Sequence, residues 1–157
     1  MSLYDWLLSL HVLSAFAWVA ALLLYTVVIV TAWGLSVPSE VARVFRITRV
    51  GDALIAVGMI GTIVFGIWLA FDEYEIWDGW IIAALVLWLF AAAVGGQVGK
   101  IYNGARDRAN ALVAEGSDGP SPELNAMLRS QRGLVLHGLM ILTVVAILVV
   151  MIYKPGA

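Results

Sequence analysis

The sequence predicts an all-α, polytopic membrane protein built as a four-helix bundle. Of its 157 residues, 62% are hydrophobic and 13% are charged, whereas a soluble domain is nearer half apolar and a quarter charged. Four apolar segments reach the ~20 residues that a helix needs to cross the hydrocarbon core. No segment alternates with the period of two that a membrane strand requires, so helices are the expected architecture.

The predicted spans cover residues 6–33, 53–71, 79–101 and 133–153 of a single transmembrane domain that comprises residues 1–157. The net charge of -2 and the scattered basic residues exclude a nucleic-acid surface. Because the chain has no cysteine, disulfides, thiolate nucleophiles and iron–sulfur ligation are excluded as well. Redox chemistry would therefore require a bound cofactor.

The distribution of basic residues predicts the orientation. Eight of the 9 Lys and Arg residues lie in or beside the first and third connections, and the second connection, residues 72–78, has none. The positive-inside rule then places the first and third connections in the cytoplasm and both termini outside a bacterial inner membrane. In this orientation Trp6, Trp77, Trp80 and Tyr153 are predicted to mark the outer lipid interface.

The first connection is predicted to contain a short amphipathic helix at the membrane surface. Ser36 can cap this helix and Pro38 can occupy its first turn. The helix is expected to end before Gly51, and Trp33 is expected to mark the inner lipid interface beside it.

The third connection is predicted to extend both flanking helices into the cytoplasm. The third helix is expected to continue to about Ala114 and to break at residues 116–120. Ser121 is the predicted cap of the next helix, with Pro122 at its first position. This helix is expected to run unbroken to Tyr153.

Small residues in the second and third spans predict close helix packing. The second span has Gly58, Thr62 and Gly66 at four-residue steps, and the third has a similar ladder from Ala91 to Gly99. Such ladders let helix backbones approach in lipid. We expect these two helices to pack on each other or on helix 1. Alternatively, the glycines leave room for a flat ligand.

The only two histidines, His11 and His137, lie at membrane depth. His11 shares one helical stripe with Ser14, Trp18 and Tyr25, which is expected to face protein. Ionisable groups inside a membrane mark functional sites, and neutral imidazole is a good ligand for haem iron, copper or zinc. Both histidines are therefore candidate metal ligands. The alternative is that both are structural and hydrogen-bonded to a carbonyl or hydroxyl.

Depth argues against one haem held by both histidines. Counted from the predicted boundaries, each lies ~7 Å inside opposite faces of the ~30 Å core, which leaves them about 15 Å apart. His11 would then need a partner from a second copy of the chain in a homodimer, or an exchangeable ligand.

The leading functional hypothesis is a b-type haem protein for electron transfer or haem-linked redox chemistry. His11 would ligate the iron, Trp18 and Tyr25 would pack along the ring, Gly58 would admit it, and His137 is the second candidate ligand. A homodimer or a larger membrane redox complex is the expected assembly. Two alternatives stay open: an accessory subunit with structural histidines, and a copper or small-solute transporter.

Two segments of the sequence resemble those of known membrane-protein families. The run LHVLSAFAWV at residues 10–19 and the ending MIYKPG at residues 151–156 resemble small bacterial four-helix proteins known as predicted integral membrane proteins. More distantly, the histidine–tryptophan stripe and GIWL at residues 66–69 resemble the copper-resistance-protein-D-like group and the HemJ-type protoporphyrinogen oxidases. The HemJ resemblance implies haem binding by His11. The Arg…Asn-Glu…Pro ending of those oxidases is missing here.

Overall fold

The computed structural model describes residues 2–117 and 119–156, which are helical and contain no strand. Position 118, in the predicted break, lies outside the described residues. The described residues form six helices: α1 (Leu3–Ala32), α2 (Pro38–Phe45), α3 (Thr48–Glu73), α4 (Gly79–Ala114), α5 (Pro122–Leu128) and α6 (Gln131–Tyr153). Four helical stretches, which contain α1, α3, α4 and α6, are long and apolar enough to cross a membrane. The predicted all-α, four-span fold is confirmed.

The four long helices run alternately up and down. The start of α1, the α3–α4 connection and the end of α6 meet at one end, which we call the terminal end. There Lys154 donates a hydrogen bond to Tyr74. The short helices α2 and α5 meet at the opposite, connecting end, where the Ser121 amide donates to the Ser36 carbonyl at 3.0 Å.

Helices α1 and α3 form a tight antiparallel pair. A Cβ atom added at Gly58 would lie 2.5 Å from the Trp18 backbone nitrogen, closer than carbon and nitrogen can approach without displacement. The other close approaches along this pair join Gly51 to Tyr25, Gly61 to Ser14, and Gly66 to His11. The predicted stripe on α1 thus faces protein, as expected, and the glycines of α3 let it approach.

The second pair consists of α4 and α6. A Cβ atom at Gly95 would lie 3.2 Å from Met140, and one at Gly133 would lie 3.0 Å from the Tyr102 hydroxyl. The ladder on α4 therefore packs against α6. Of the two expected arrangements, the second span follows the one on helix 1, whereas the third span packs on α6, which was not predicted.

The connecting end differs from prediction in two details. Val37 occupies the N-cap of α2 without a side-chain hydrogen bond, so Ser36 is not the cap. The helix predicted to run unbroken to Tyr153 is interrupted at Ser130, whose hydroxyl accepts from the Gly133 amide at 3.2 Å and starts α6. The interruption lets α5 fold inward and bury Leu124 in the core.

The two helix pairs pack on each other most extensively towards the connecting end. One core cluster there joins α1, α2, α4, α5 and α6; its members include Ile29, Phe45, Tyr102, Leu124 and Met140. Towards the terminal end a smaller cluster of Ala70, Trp80 and Ile81 joins α3 to α4, and a cavity lies between the pairs. The bundle thus has a closed half and an open half.

Candidate functional site

The terminal half of the bundle encloses a cavity of about 410 Å³. All four spans line it, for example through Ala15, Ile63, Ala84 and Ile147. Its size lies in the usual range of small-molecule sites, about 300–1,000 Å³. Its wall is apolar except for a few groups, and these decide what the cavity can bind. We call it the terminal cavity.

His11 is the one histidine that lines the terminal cavity. Its Nδ1 lies 3.0 Å from the backbone carbonyl oxygen of Thr62. Because a carbonyl only accepts, Nδ1 must carry the proton, and the lone pair of the neutral ring lies on Nε2. Gly66 leaves room for the ring, since a Cβ there would lie 2.9 Å from its Cε1 atom. No hydrogen-bond partner holds Nε2 within the described part of the chain.

Three further polar groups line the terminal cavity without a partner. They are the indole nitrogens of Trp80 and Trp88 and the hydroxyl of Thr62, each buried and unbonded within residues 2–117 and 119–156. Trp88 lies ~13 Å along α4 and His11 ~12 Å along α1 from the terminal end, which gives them similar depth. Buried donors normally have acceptors, so these groups favour a ligand that carries oxygen acceptors.

A lysine lies at the mouth of the terminal cavity. The Lys154 ammonium donates to the Tyr74 hydroxyl at 2.7 Å and lies 4.5 Å from the centre of the Tyr74 ring and 5.3 Å from that of Trp80. The two rings pack edge to face, with centres 5.2 Å apart. The positive charge of Lys154 thus lies at this end of the cavity, against two aromatic rings.

His137 lies in the closed half of the bundle. Its Nε2 is 2.9 Å from the Thr26 hydroxyl. Thr26 follows His11 by fifteen residues on the same helix, so the two histidines are ~22 Å apart along α1. This agrees with the expectation from depth that one haem held by both side chains is disfavoured. His137 is buried in the core and does not line the terminal cavity.

The other predicted site residues do not line the terminal cavity. Trp18 packs into the α1–α3 interface, where its backbone fills the space beside Gly58. Tyr25 lies further towards the connecting end, and its hydroxyl donates to the Asp52 carboxylate. The grouping of these three residues with His11 around a ring is therefore corrected: Gly58 serves helix packing and leaves no room for a ligand.

The groups that accompany His11 in the terminal cavity were not predicted from the sequence. Trp80 was predicted to mark the lipid interface, but it is buried in the cavity wall with 5% of its surface exposed. The sequence did contain a signal for the two tryptophans of the cavity wall, because Trp80 and Trp88 are eight residues apart, which is about two helical turns. Lys154, the one basic residue at the terminal end, was the other signal.

Comparison with known proteins identifies a family. No curated protein and no solved structure matches the chain, and the distant resemblance to the HemJ-type and copper-resistance-protein-D-like groups stays a prediction. Residues 5–155 match the family described as predicted integral membrane protein, DUF2269. This match covers nearly the whole chain, which therefore belongs to this family of predicted integral membrane proteins.

Proposed function

We propose that the protein binds one b-type haem in the terminal cavity, with His11 as the single protein ligand of the iron. The observation that carries this proposal is the hydrogen bond from His11 Nδ1 to the Thr62 carbonyl. Metal-ligating histidines almost always donate their other ring N–H to a carbonyl, carboxylate or water, which fixes the ring and its tautomer. When bound, haem would supply a redox-active iron for electron transfer.

The rest of the cavity suits a ligand that brings its own metal ligands. A bare zinc or copper ion needs about three protein ligands or more, and the described residues hold no group of three His, Cys, Asp or Glu side chains that could supply them. A porphyrin provides four nitrogens itself, so one imidazole suffices. This favours haem over a protein-only metal centre and over copper transport.

The polar groups of the terminal cavity would orient the haem. Lys154, held by Tyr74, offers a cation for the haem carboxylates at the mouth. The indole N–H group of Trp80, which has no partner in the described chain, can donate to the same carboxylates. The apolar wall contributed by all four spans would exclude water from the ring.

An absorption spectrum tests the proposal. Wild-type protein expressed with haem available should show a Soret band, and His11→Ala should lose it. His137→Ala is the matched control and should keep the band. Added imidazole should restore the band to His11→Ala, because a free imidazole can occupy the vacated position. A colourless wild-type protein, or an unchanged spectrum in His11→Ala, would remove the proposal and favour the accessory-subunit alternative.

A lipid quinone is the second candidate ligand. The observation that favours it is the pair of unbonded indole donors, Trp80 and Trp88, in an apolar cavity, since quinone carbonyls are acceptors on a flat ring. Solvent extraction of purified protein, followed by a redox difference spectrum in the ultraviolet, distinguishes bound quinone from bound haem. Quinone binding predicts a colourless protein with extractable quinone that decreases in Trp88→Phe.

The orientation and assembly of the protein are part of the same proposal. The basic connecting end would face the cytoplasm of a bacterial inner membrane, with the terminal cavity near the outer surface. Four spans of one chain line the cavity around His11, so haem binding requires no second copy. A homodimer or a redox complex stays a prediction, testable by mass measurement in detergent.

A further inference from the structure

A second concave site lies at the connecting end, and the proposed haem function does not use it. It is a cleft of about 490 Å³ between α2, the α2–α3 junction and the extension of α4. Four arginines line it: Arg43, Arg46, Arg49 and Arg106. We call it the arginine cleft.

The fold brings these arginines together from two directions. Val41 and Phe45 bury the apolar face of α2 in the core, which leaves Arg43 on the face that lines the cleft. Arg46 lines the cleft from the α2–α3 junction and Arg49 from the first turn of α3. Arg106 reaches the cleft from α4, on the opposite wall. The positive-inside rule accounts for the number of basic residues at this end, but not for their convergence on one concavity.

Most of this charge has no internal counter-ion. Arg106 lies 3.1 Å from Asp107 and 3.9 Å from Asp52. Arg43, Arg46 and Arg49 form no ion pair within the residues that the structure describes. Asp107 is the only carboxylate in the cleft lining. Four guanidinium groups thus face Asp107 in the lining and Asp52 beside it, so positive charge exceeds negative charge in the cleft.

The surface beside the arginine cleft is apolar. Ile47 and Val50, the sequence neighbours of Arg46 and Arg49, are 50% and 57% exposed. Val57, Ile60 and Val64 continue this exposed apolar surface along the membrane-spanning part of α3. A phosphate in the cleft would therefore lie next to a surface suited to acyl chains. Uncharged hydrogen-bonding groups are present as well, from Ser39 and Asn110.

We propose that the arginine cleft binds the phosphate group of an anionic phospholipid of the phosphatidylglycerol type. Guanidinium groups recognise phosphate through paired hydrogen bonds, and basic pockets at the ends of membrane helices bind anionic headgroups. Ser39 and Asn110 would bond the glycerol hydroxyls, and the acyl chains would lie on Ile47 and Val50. The proposal is independent of the terminal cavity and of haem.

Thermal unfolding of the full chain in neutral detergent tests this site. Phosphatidylglycerol should stabilise the wild type in a saturable manner. The double variant Arg43→Gln/Arg46→Gln should bind the lipid at least tenfold more weakly. Lys100→Gln/Arg132→Gln, which removes two exposed charges near the same membrane face but outside the cleft, is the matched control and should change the affinity less than twofold.

The same unfolding measurement with two other additives identifies the ligand. Phosphatidylcholine, which has the same phosphate but no net charge, should stabilise the wild type far less than phosphatidylglycerol. Inorganic phosphate at the same concentration should have no effect. Saturation by inorganic phosphate alone would overturn the lipid assignment in favour of a soluble phosphate. Equal losses of affinity in both double variants would overturn the site itself.

Discussion

The closed and open halves of the bundle place the same kind of residue in different surroundings. His137 lies in the closed half, within a continuous core that includes Tyr102 and Met140. His11 lies in the open half, beside a cavity of about 410 Å³. Each ring has one hydrogen bond to its neighbours, but only His11 has space next to it. An imidazole at membrane depth is therefore not enough to indicate a ligand site. A ligand site also requires a cavity beside the ring.

The largest expected effect concerns the α1–α3 pair, on which His11 depends. Gly58→Ala places a Cβ 2.5 Å from the Trp18 backbone, and backbone atoms cannot rotate away. We expect the free energy of unfolding to fall by about 3 kcal/mol or more, the upper range for overpacking. Gly96→Ala, where nothing lies within 4 Å, is the control and should be neutral or slightly stabilising. Denaturant unfolding in detergent measures both, and equal effects would contradict the packing.

The second prediction compares the two histidines directly. His137→Ala removes a buried ring from the core and its hydrogen bond to the Thr26 hydroxyl at 2.9 Å, while that hydroxyl still donates to the Leu22 carbonyl. We expect it to lower the free energy of unfolding by about 2–3 kcal/mol, as for other large-to-small core changes. His11→Ala should cost only about 1 kcal/mol, the value of one hydrogen bond, because that ring already borders a cavity. A larger loss in His11→Ala than in His137→Ala would contradict the division into halves.

The third prediction concerns the mouth of the terminal cavity. Lys154→Gln removes the charge that would meet the haem carboxylates, and a partly screened ion pair contributes about 1 kcal/mol. We expect the Kd for haem to rise roughly fivefold, measured by titration with the Soret band as readout. Lys100→Gln, on an exposed face at the other end, should leave the Kd unchanged. A similar response in both variants would exclude a specific role for Lys154.

The smallest expected effect lies outside the membrane. Arg108 and Glu123 join α4 to α5 through a hydrogen-bonded ion pair, with the shortest contact at 3.0 Å. Exposed ion pairs contribute little to stability, so Arg108→Gln should leave the Tm unchanged. Ser130→Ala, which removes the cap at the start of α6, should lower the Tm instead. A substantial loss in Arg108→Gln would mean that the connecting end is held by charge more than by its core.

The sequence predicts much of the fold because helix formation and lipid burial leave local signals. Apolar length predicted the four spans, and the stripe through His11 and Trp18 predicted the face of α1 that packs on protein. The break at Ser130 was missed because the polar run at residues 129–132 has no proline or glycine and also fits a continuous helix. Its effect depends on burial of Leu124, a tertiary contact that no local pattern encodes.

The candidate site was only partly predictable for the same reason. His11 was identified because imidazole is rare in lipid. Trp80 and Lys154 lie far from it in the sequence and come to the same cavity only through the packing of the four spans. Gly58 was ambiguous, since a glycine suits both a ligand and a neighbouring backbone. The short distance between Gly58 and the Trp18 backbone shows that Gly58 serves helix packing.

Electron paramagnetic resonance of the ferric, haem-loaded protein distinguishes one histidine ligand of the iron from two. One histidine ligand from the open half predicts a high-spin iron signal that disappears in His11→Ala and persists in His137→Ala. A low-spin signal typical of two histidine ligands, or loss of the signal in His137→Ala, would contradict the account.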